Sequence, residues 1–193
     1  EEYLSLGEEV NRGKGSKFIS THPDQDSLNF FVRKASYSLK DYIIHANGVD
    51  SIIVADAIIF PDSGIVTIAK NAVIETLYSA KILADDLTKY HIFTNATVDI
   101  ESAYNYKASG DYTYIDGMNK EQQIFFKEVK VDGKDTITVA RGYITEDNVF
   151  PMDNNFDFKG DIYLISDQKN LIFDGYFRIN YACALADKEW VKF

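Results

Sequence analysis

Apolar residues recur along the chain in short runs that end at Gly, Asn or Asp, and this pattern continues from Ala35 to Tyr181. The runs are short and rich in β-branched and aromatic residues, as at 42–46, 51–54, 65–68 and 170–173. Such runs, bounded by turn residues, are typical of β-strands and hairpins. Further turns are predicted at Asp116-Gly117, Asp132-Gly133 and Asp174-Gly175. The pattern predicts an all-β protein with at most one or two short helices.

The segment 49–100 is the most regular part of the chain, and several of its apolar runs open with Ala. Small residues at repeated positions allow strands or sheets to stack closely. We therefore expect stacked short strands, arranged either as a jelly roll or as a β-solenoid, which use the same strands and turns. Residues 71–86 are also compatible with an amphipathic helix, but their Val, Ile and Thr content favours a strand.

The two ends of the chain differ from this pattern. Residues 3–11 are interpreted as a short helix and residues 12–16 as a turn. We predict an N-terminal extension or junction over 1–27, a β-stack domain over 28–183 and a C-terminal junction over 184–193, where the apolar residues 190–193 would begin a following module. The sequence begins without Met and without a charged-then-apolar leader, which indicates a processed chain or a part of a longer one.

Four tyrosines alternate with polar residues after position 103, namely Tyr104, Tyr106, Tyr112 and Tyr114. Alternation of this kind places side chains on one face of an antiparallel pair. Exposed rings there would form a platform for the apolar faces of sugars, so these four are the candidate ligand-binding residues. The alternative is that the rings cover one another between strands.

Composition and charge narrow the possible partners. The 193 residues are 46% hydrophobic and 14% aromatic, which is enough to build a sizeable core. A formal net charge of −10 disfavours binding to nucleic acid and to anionic lipid headgroups. No apolar stretch reaches the length of a transmembrane helix. Cys183 is the only cysteine, so an internal disulfide is excluded.

Motifs for common enzyme chemistry are absent from the sequence. It contains no nucleotide fingerprint, no Gly-x-Ser-x-Gly elbow and no Cys or His pair at zinc spacing, so we expect no cofactor. The three histidines are widely separated. We predict that His45 and His91, both in apolar surroundings, are packed or hydrogen-bonded core residues and not catalytic bases.

Carboxylates are plentiful, and a glycosidase would need two of them facing each other across a cleft. Spacing alone does not select among Asp85 with Asp86, Asp99 with Glu101, and Asp157 with Asp161. Oxygen-rich loops at 24–27 and 153–157 suit calcium, although neither has the Gly and distal Glu of an EF-hand. Solvated faces and plain loops are the simpler interpretation, and we predict no metal site.

Several segments resemble a part of large uncharacterised proteins from Bacteroidetes bacteria. These are GSKFISTHP at 15–23, VADAIIFPD at 54–62, TKYH at 88–91, NATVDI at 95–100, GDYTY at 110–114, AL at 184–185 and WVKF at 190–193. The resemblance covers most of the chain and carries no assigned activity. It implies a part of a longer, exported polypeptide located in the periplasm, at the outer membrane or on the cell surface.

Residues 43–49 and 66–74 are similar in style to the OstA-like jelly-roll modules of lipopolysaccharide transport. That likeness implies an amphipathic inner groove able to hold acyl chains. Three hypotheses follow. The first is a non-catalytic structural or interaction module whose partners are neighbouring modules of the same chain. The second is a lipid- or glycan-binding module, and the third is a carbohydrate-active enzyme on a β-helix.

Overall fold

A computed structural model describes residues 3–6, 15–133, 136–180 and 189–192, with the backbone alone at 3–6. This part of the chain contains three one-turn 3-10 helices, at Pro23–Gln25, Asp62–Gly64 and Lys70–Ala72. Its strands, numbered in chain order, are β1 Tyr3–Leu6, β2 Ser16–Ile19, β3 Asn29–Val32, β4 Lys34–Ser38, β5 Ile43–Asn47, β6 Ile52–Val54, β7 Ala57–Phe60, β8 Ile65–Ile68, β9 Leu77–Leu83, β10 Ile92–Ser102, β11 Asn105–Ile115, β12 Glu121–Asp132, β13 Ile137–Ile144, β14 Phe150–Pro151, β15 Phe156–Ile165, β16 Ile172–Ile179 and β17 Val191–Lys192.

The strands form one large and one small antiparallel sheet, which confirms the predicted all-β class. The large sheet has the order β17-β16-β15-β13-β12-β11-β10-β9-β7-β6-β3-β2, and β14 pairs with β15. The small sheet has the order β1-β4-β5-β8. Most neighbours in the large sheet are also neighbours in sequence, so short turns connect them. The strands are therefore joined as an antiparallel meander and not as parallel coils.

The central strands are longer than the pattern predicted. Strands β10, β11 and β12 have 11, 11 and 12 residues. Polar residues that were interpreted as strand ends lie instead on the solvent side of a continuing strand. The predicted turn at Asp174-Gly175 is wrong, because both residues lie inside β16 and pair with Asp161 and Gly160 of β15.

The large sheet curls over its own inner face and encloses the core. The turn between β6 and β7 reaches β13, although four strands separate β7 from β13 in the sheet order. Residues from both sheets belong to one core cluster, which includes Ala46 and Val66 of the small sheet and Phe93, Phe126 and Phe158 of the large one. Aromatic residues supply much of the buried volume of this core.

Three further expectations concern the two ends of the chain and residues 71–86. Tyr3–Leu6 is a strand paired with β4 and not a helix, while residues 7–11 lie outside the described residues. The segment 71–86 contains strand β9, as favoured, but also part of a 3-10 helix. Val191–Lys192 pairs with β16 and is a strand of the large sheet. For Tyr3–Leu6 and Val191–Lys192 an available sheet edge decides the pairing, which local sequence does not reveal.

The large sheet also extends in front of the predicted domain boundary at residue 28. Ser16–Ile19 pairs with β3 and is the last strand of the large sheet at that end. Ser16 therefore begins a strand and does not end a turn. Residues 12–14 lie outside the described part of the chain.

Candidate functional site

A shallow groove lies on the outer face of the large sheet, across β12, β13, β15 and β16. We call it the outer groove, and the side chains that line it belong to Glu128, Lys130, Val139, Arg141, Tyr163, Ile165 and Ile172. Its volume is about 380 Å³. Its lining combines apolar and aromatic side chains with three charged ones, Glu128, Lys130 and Arg141. A largely apolar lining with a few polar groups is the usual composition of a binding site.

Strand register explains why these residues gather. Arg141 pairs with Tyr163, and Tyr163 pairs with Ile172 on the next strand. Val139 pairs with Ile165 two residues away, on the same face. Because alternate residues of a strand share a face, the intervening Ala140, Ile162 and Leu164 point into the core. Strands β13 and β15 thus carry apolar residues on both faces.

Two exposed aromatic rings extend the groove along the sheet. Phe126 pairs with Gly142, so one step further Phe125 lies beside Tyr143 on the outer face. Phe125 is 56% exposed and Tyr143 is 59% exposed. On the next strands to either side, Phe125 pairs with Asp111 of β11 and Tyr143 pairs with Asp161 of β15. Two exposed rings therefore lie between two carboxylates.

The charged residues around the groove form ion pairs. Arg141 Nη2 lies 2.9 Å from Asp161 Oδ1, and Lys130 Nζ lies 2.5 Å from Glu128 Oε1. The hydrogen bond from Lys130 lowers the pKa of Glu128 below its ordinary value. The Arg141 guanidinium also stacks 5.8 Å from the Tyr163 ring. These side chains are thus held in place but remain open to solvent.

A second, smaller cavity lies between the two sheets. We call it the inter-sheet cavity; its apolar lining includes Phe18, Phe30, Ile44, Ile68 and Ile74, and its volume is about 160 Å³. Gln25, the main polar residue beside it, donates a hydrogen bond to the Ala72 carbonyl at 2.7 Å. The cavity therefore presents a chiefly hydrophobic surface to anything that enters it.

The four predicted platform tyrosines do not form one exposed surface. Tyr104 is 60% exposed, in the turn between β10 and β11, whereas Tyr106 is fully buried. Tyr112 packs against Phe93 and Phe126, and Tyr114 packs edge-on against Phe173. Tyr106 is thus part of the core, and Tyr112 and Tyr114 are partly buried against it. Burial raises the pKa of all three.

His91 is buried, as predicted, with 1% of its surface exposed. Its Nε2 lies 2.6 Å from the Gln168 carbonyl oxygen and its Nδ1 lies 3.0 Å from the Tyr112 hydroxyl. A carbonyl oxygen can only accept, so Nε2 carries the proton and Nδ1 accepts from Tyr112. Burial lowers the pKa of His91, which holds the ring neutral.

The prediction for His45 is wrong. This side chain is exposed on β5, because strand alternation points the adjacent Ala46 into the core. His22 lies at the start of the first 3-10 helix, where its Nδ1 accepts a hydrogen bond from the Asp24 amide. The three histidines lie in different parts of the fold.

The candidate carboxylate pairs are occupied by structural contacts. Asp85 accepts hydrogen bonds from the Leu87 amide and the Thr88 hydroxyl, and Asp157 binds Arg178 and Asn180. Asp99 and Glu101 are exposed on β10 and bind Thr76 in one case and Asn105 and Lys107 in the other. Each of these carboxylates therefore already has protein donors.

The loop at 153–157, one of the two oxygen-rich loops, has a local structural role. Asp153 accepts from the amides of Asn155 and Phe156 and so forms an Asx-type turn. Within residues 15–133, 136–180 and 189–192, no three His, Cys, Asp or Glu side chains gather in a way that could hold a metal ion. Over the same residues, no helix has the length and hydrophobicity needed to cross a membrane.

Sequence reasoning missed Phe125 and Tyr143. The signal that could have found Tyr143 is the alternation 137–144, where Thr138, Ala140 and Gly142 are small and the residues between them are large. When one face of a strand carries small side chains and the other carries large ones, one face is expected to be buried and the other exposed to solvent. Which of the two faces is exposed depends on the direction in which the sheet curves, and the alternation does not give that direction.

No protein-family description, no curated protein and no solved structure matches the chain.

Proposed function

We propose that this chain is a non-catalytic binding module of a longer exported polypeptide and that it binds through the outer groove. The observation that carries the proposal is the position of the groove. It lies on the face of the large sheet that points away from the core, and apolar and aromatic side chains line it. Exposed apolar surface rimmed by polar residues marks sites of interaction.

The interior of the sheet supports a non-catalytic role. Asp56, His91 and Asp157 each form hydrogen bonds with other groups of the protein, and these bonds stabilise the fold. A catalytic carboxylate or histidine needs access to a substrate. The location in a longer exported polypeptide rests on the resemblance to Bacteroidetes proteins, and neighbouring modules of that polypeptide are candidate partners.

Fragment mapping by NMR tests the proposal without knowledge of the ligand. The ¹⁵N-labelled protein is titrated with phenol and with 2-propanol, and amide shifts are followed. We expect the largest shifts at Val139, Arg141 and Ile172. Ile172→Lys should abolish them, because it places a charge among the apolar side chains of the groove. Ile53→Lys, at an exposed position on β6, is the matched control and should leave the shifts unchanged. Evenly scattered shifts would contradict the proposal.

A second candidate function is lipid binding in the inter-sheet cavity, favoured by its lining of Ile and Phe side chains. Its volume of about 160 Å³ accommodates only part of an acyl chain. The same titration separates the two candidates. Shifts concentrated at Ile44, Ile68 and Ile74 would favour the lipid function, and shifts at the outer groove would favour the module proposed first.

A further inference from the structure

We propose that the outer face of β12, β13 and β15 binds a neutral oligosaccharide chain, with Phe125, Tyr143 and Tyr163 as its stacking surface. We call these three residues the aromatic strip. The inference rests on the proposed function, since it names the ligand class of the same face. It moves the predicted sugar platform away from Tyr106, which is fully buried, and from Tyr112 and Tyr114, which pack against the core. The new platform consists of the exposed Phe125 and Tyr143 and the half-buried Tyr163.

Register sets the spacing of the rings. Phe125 and Tyr143 are neighbours on adjacent strands, and Tyr163 lies diagonally from Tyr143, two residues along the next strand. Directly opposite positions are about 5 Å apart and diagonal positions about 7–8 Å apart. Rings at such intervals on an open sheet can meet successive sugars of an extended chain. The C–H faces of pyranoses pack on aromatic rings, as apolar surfaces do.

Polar groups beside the rings match the hydroxyls of a sugar. One row across the sheet contains, in order, Asp111, Phe125, Tyr143, Asp161 and Asp174. Carboxylates therefore flank the two exposed rings on both sides. Asp111 and Asp161 each accept from one protein donor, Asn95 and Arg141, and a carboxylate has capacity for further donors. Sugar hydroxyls supply such donors, and the Arg141 guanidinium supplies donors for sugar oxygens.

Charge selects a neutral ligand. Three carboxylates near the strip and the net charge of −10 repel uronates, sulfated sugars and phosphates. An apolar protein surface fits less well, because it would remove these carboxylates from water without supplying donors for them. Strand addition is also excluded here, because β12, β13 and β15 each have strand neighbours on both sides. A neutral, hydroxyl-rich chain can stack on the rings and donate hydrogen bonds to the carboxylates.

Calorimetry with defined hexasaccharides tests this inference. The probes are cellohexaose, maltohexaose and mannohexaose, with hexagalacturonic acid as the anionic counterpart. We expect at least one neutral hexasaccharide to bind and hexagalacturonic acid not to bind. Tyr143→Ala and Phe125→Ala should each weaken that binding about tenfold, since each removes one stacking contact. Tyr78→Ala, an exposed tyrosine on β9, is the matched control and should bind as the original protein does.

The outcomes that overturn the inference are distinct from failure of the proposed function. If no neutral hexasaccharide binds at millimolar concentration while phenol still maps to the outer groove, the glycan inference is wrong and the binding module stands. Equal binding of hexagalacturonic acid would contradict the charge argument and so overturn the inference. An equal loss of binding in Tyr78→Ala would also overturn it. All three substituted side chains are exposed, and an unchanged melting temperature verifies that the variants fold.

Discussion

Asp56 and Thr138 join two distant parts of the large sheet. The Asp56 carboxylate accepts hydrogen bonds from the Thr138 backbone amide at 2.9 Å and from the Thr138 hydroxyl at 2.6 Å. The same carboxylate accepts from the Ser166 hydroxyl at 2.5 Å, and the Tyr106 hydroxyl lies 2.8 Å from Thr138 Oγ1. One carboxylate thus connects the β6–β7 turn with β13 and with the residue that follows β15, and it holds the sheet in its curled form.

Replacement of Asp56 should therefore destabilise the whole fold. Asp56→Asn keeps the size of the side chain but turns one acceptor oxygen into a donor that faces other donors. We expect a loss of about 2–4 kcal/mol in the free energy of unfolding, as when hydrogen bonds to a charged group are broken and buried donors lose their acceptor. Urea denaturation measures it. Asp147→Asn, on an exposed turn, is the control and should change the free energy by no more than about 0.5 kcal/mol.

Gly160 and Gly175 face each other across β15 and β16, and neither position has room for a side chain. A Cβ atom on Gly175 would lie 2.2 Å from the Lys159 carbonyl oxygen and 2.8 Å from Gly160 Cα. Gly175→Ala should force the two strands apart and cost about 3 kcal/mol or more, the scale of overpacking in a closed core. Thermal unfolding measures the loss.

Gly133 supplies the matched control for this prediction. Nothing lies within 4 Å of a Cβ atom built there. Gly133→Ala should leave stability unchanged or raise it by about 0.4–1 kcal/mol, because alanine restricts the unfolded chain. Similar melting temperatures for Gly175→Ala and Gly133→Ala would show that the close approach of β15 and β16 does not limit stability.

His91 should make the stability of the protein dependent on pH. Its pKa is lowered in the fold, so the unfolded chain binds a proton more readily than the folded chain does. The stabilisation is complete above the ordinary value of 6.5 and decreases as the pH falls from there toward the pKa in the fold. Urea denaturation between pH 7.5 and pH 5 measures how the free energy of unfolding changes with pH. An NMR titration of the imidazole measures the pKa of His91 in the fold.

The exposed His45 is the control for the effect of His91. His45→Gln should leave the His91 contribution to the profile intact, whereas His91→Gln should remove it. If His91→Gln does not fold, the NMR titration of His91 in the original protein decides. A midpoint at or above 6.5 would contradict the prediction.

Trp190 anchors the edge strand β17 to the large sheet. Its indole N–H donates to Glu146 Oε1 at 2.8 Å, and the Lys159 and Arg178 cations each lie 4.5 Å from the ring centre. Trp190→Ala removes a hydrogen bond and two cation–π contacts, which are worth about 0.5–1 kcal/mol each at exposed sites. Because β17 has only two residues, we expect the loss of stability to be confined to this edge of the sheet.

Hydrogen exchange tests this local effect. In Trp190→Ala the backbone amides of β16 that face β17 should exchange faster, while the amides of β10 and β11 should keep their protection. Tyr104→Ala, which removes an exposed ring at a turn far from β17, is the control. Faster exchange throughout the sheet would contradict a local anchor.

The alternation of residues in the central strands largely predicted the class of this fold. The short apolar runs, the turn pair Asp116-Gly117 and the burial of His91 could be expected from neighbouring residues alone. Strand lengths could not, because a polar residue at a strand end and a polar residue on the outer face look alike in sequence. Asp174-Gly175 illustrates this: it has the composition of a turn, yet it lies inside β16 because Gly160 opposite leaves room for close strand contact.

The candidate site depended still more on tertiary structure. The sequence by itself determined the all-β class, the acidic surface and the supply of aromatic rings, since composition and alternation depend only on the order of residues. Only the tertiary structure decided which rings are buried. The curl of the large sheet, held by Asp56 and Thr138, encloses Tyr106 and leaves Phe125 and Tyr143 outside. Strand alternation separates two faces, but the direction in which a sheet closes is a property of contacts between residues far apart in the chain.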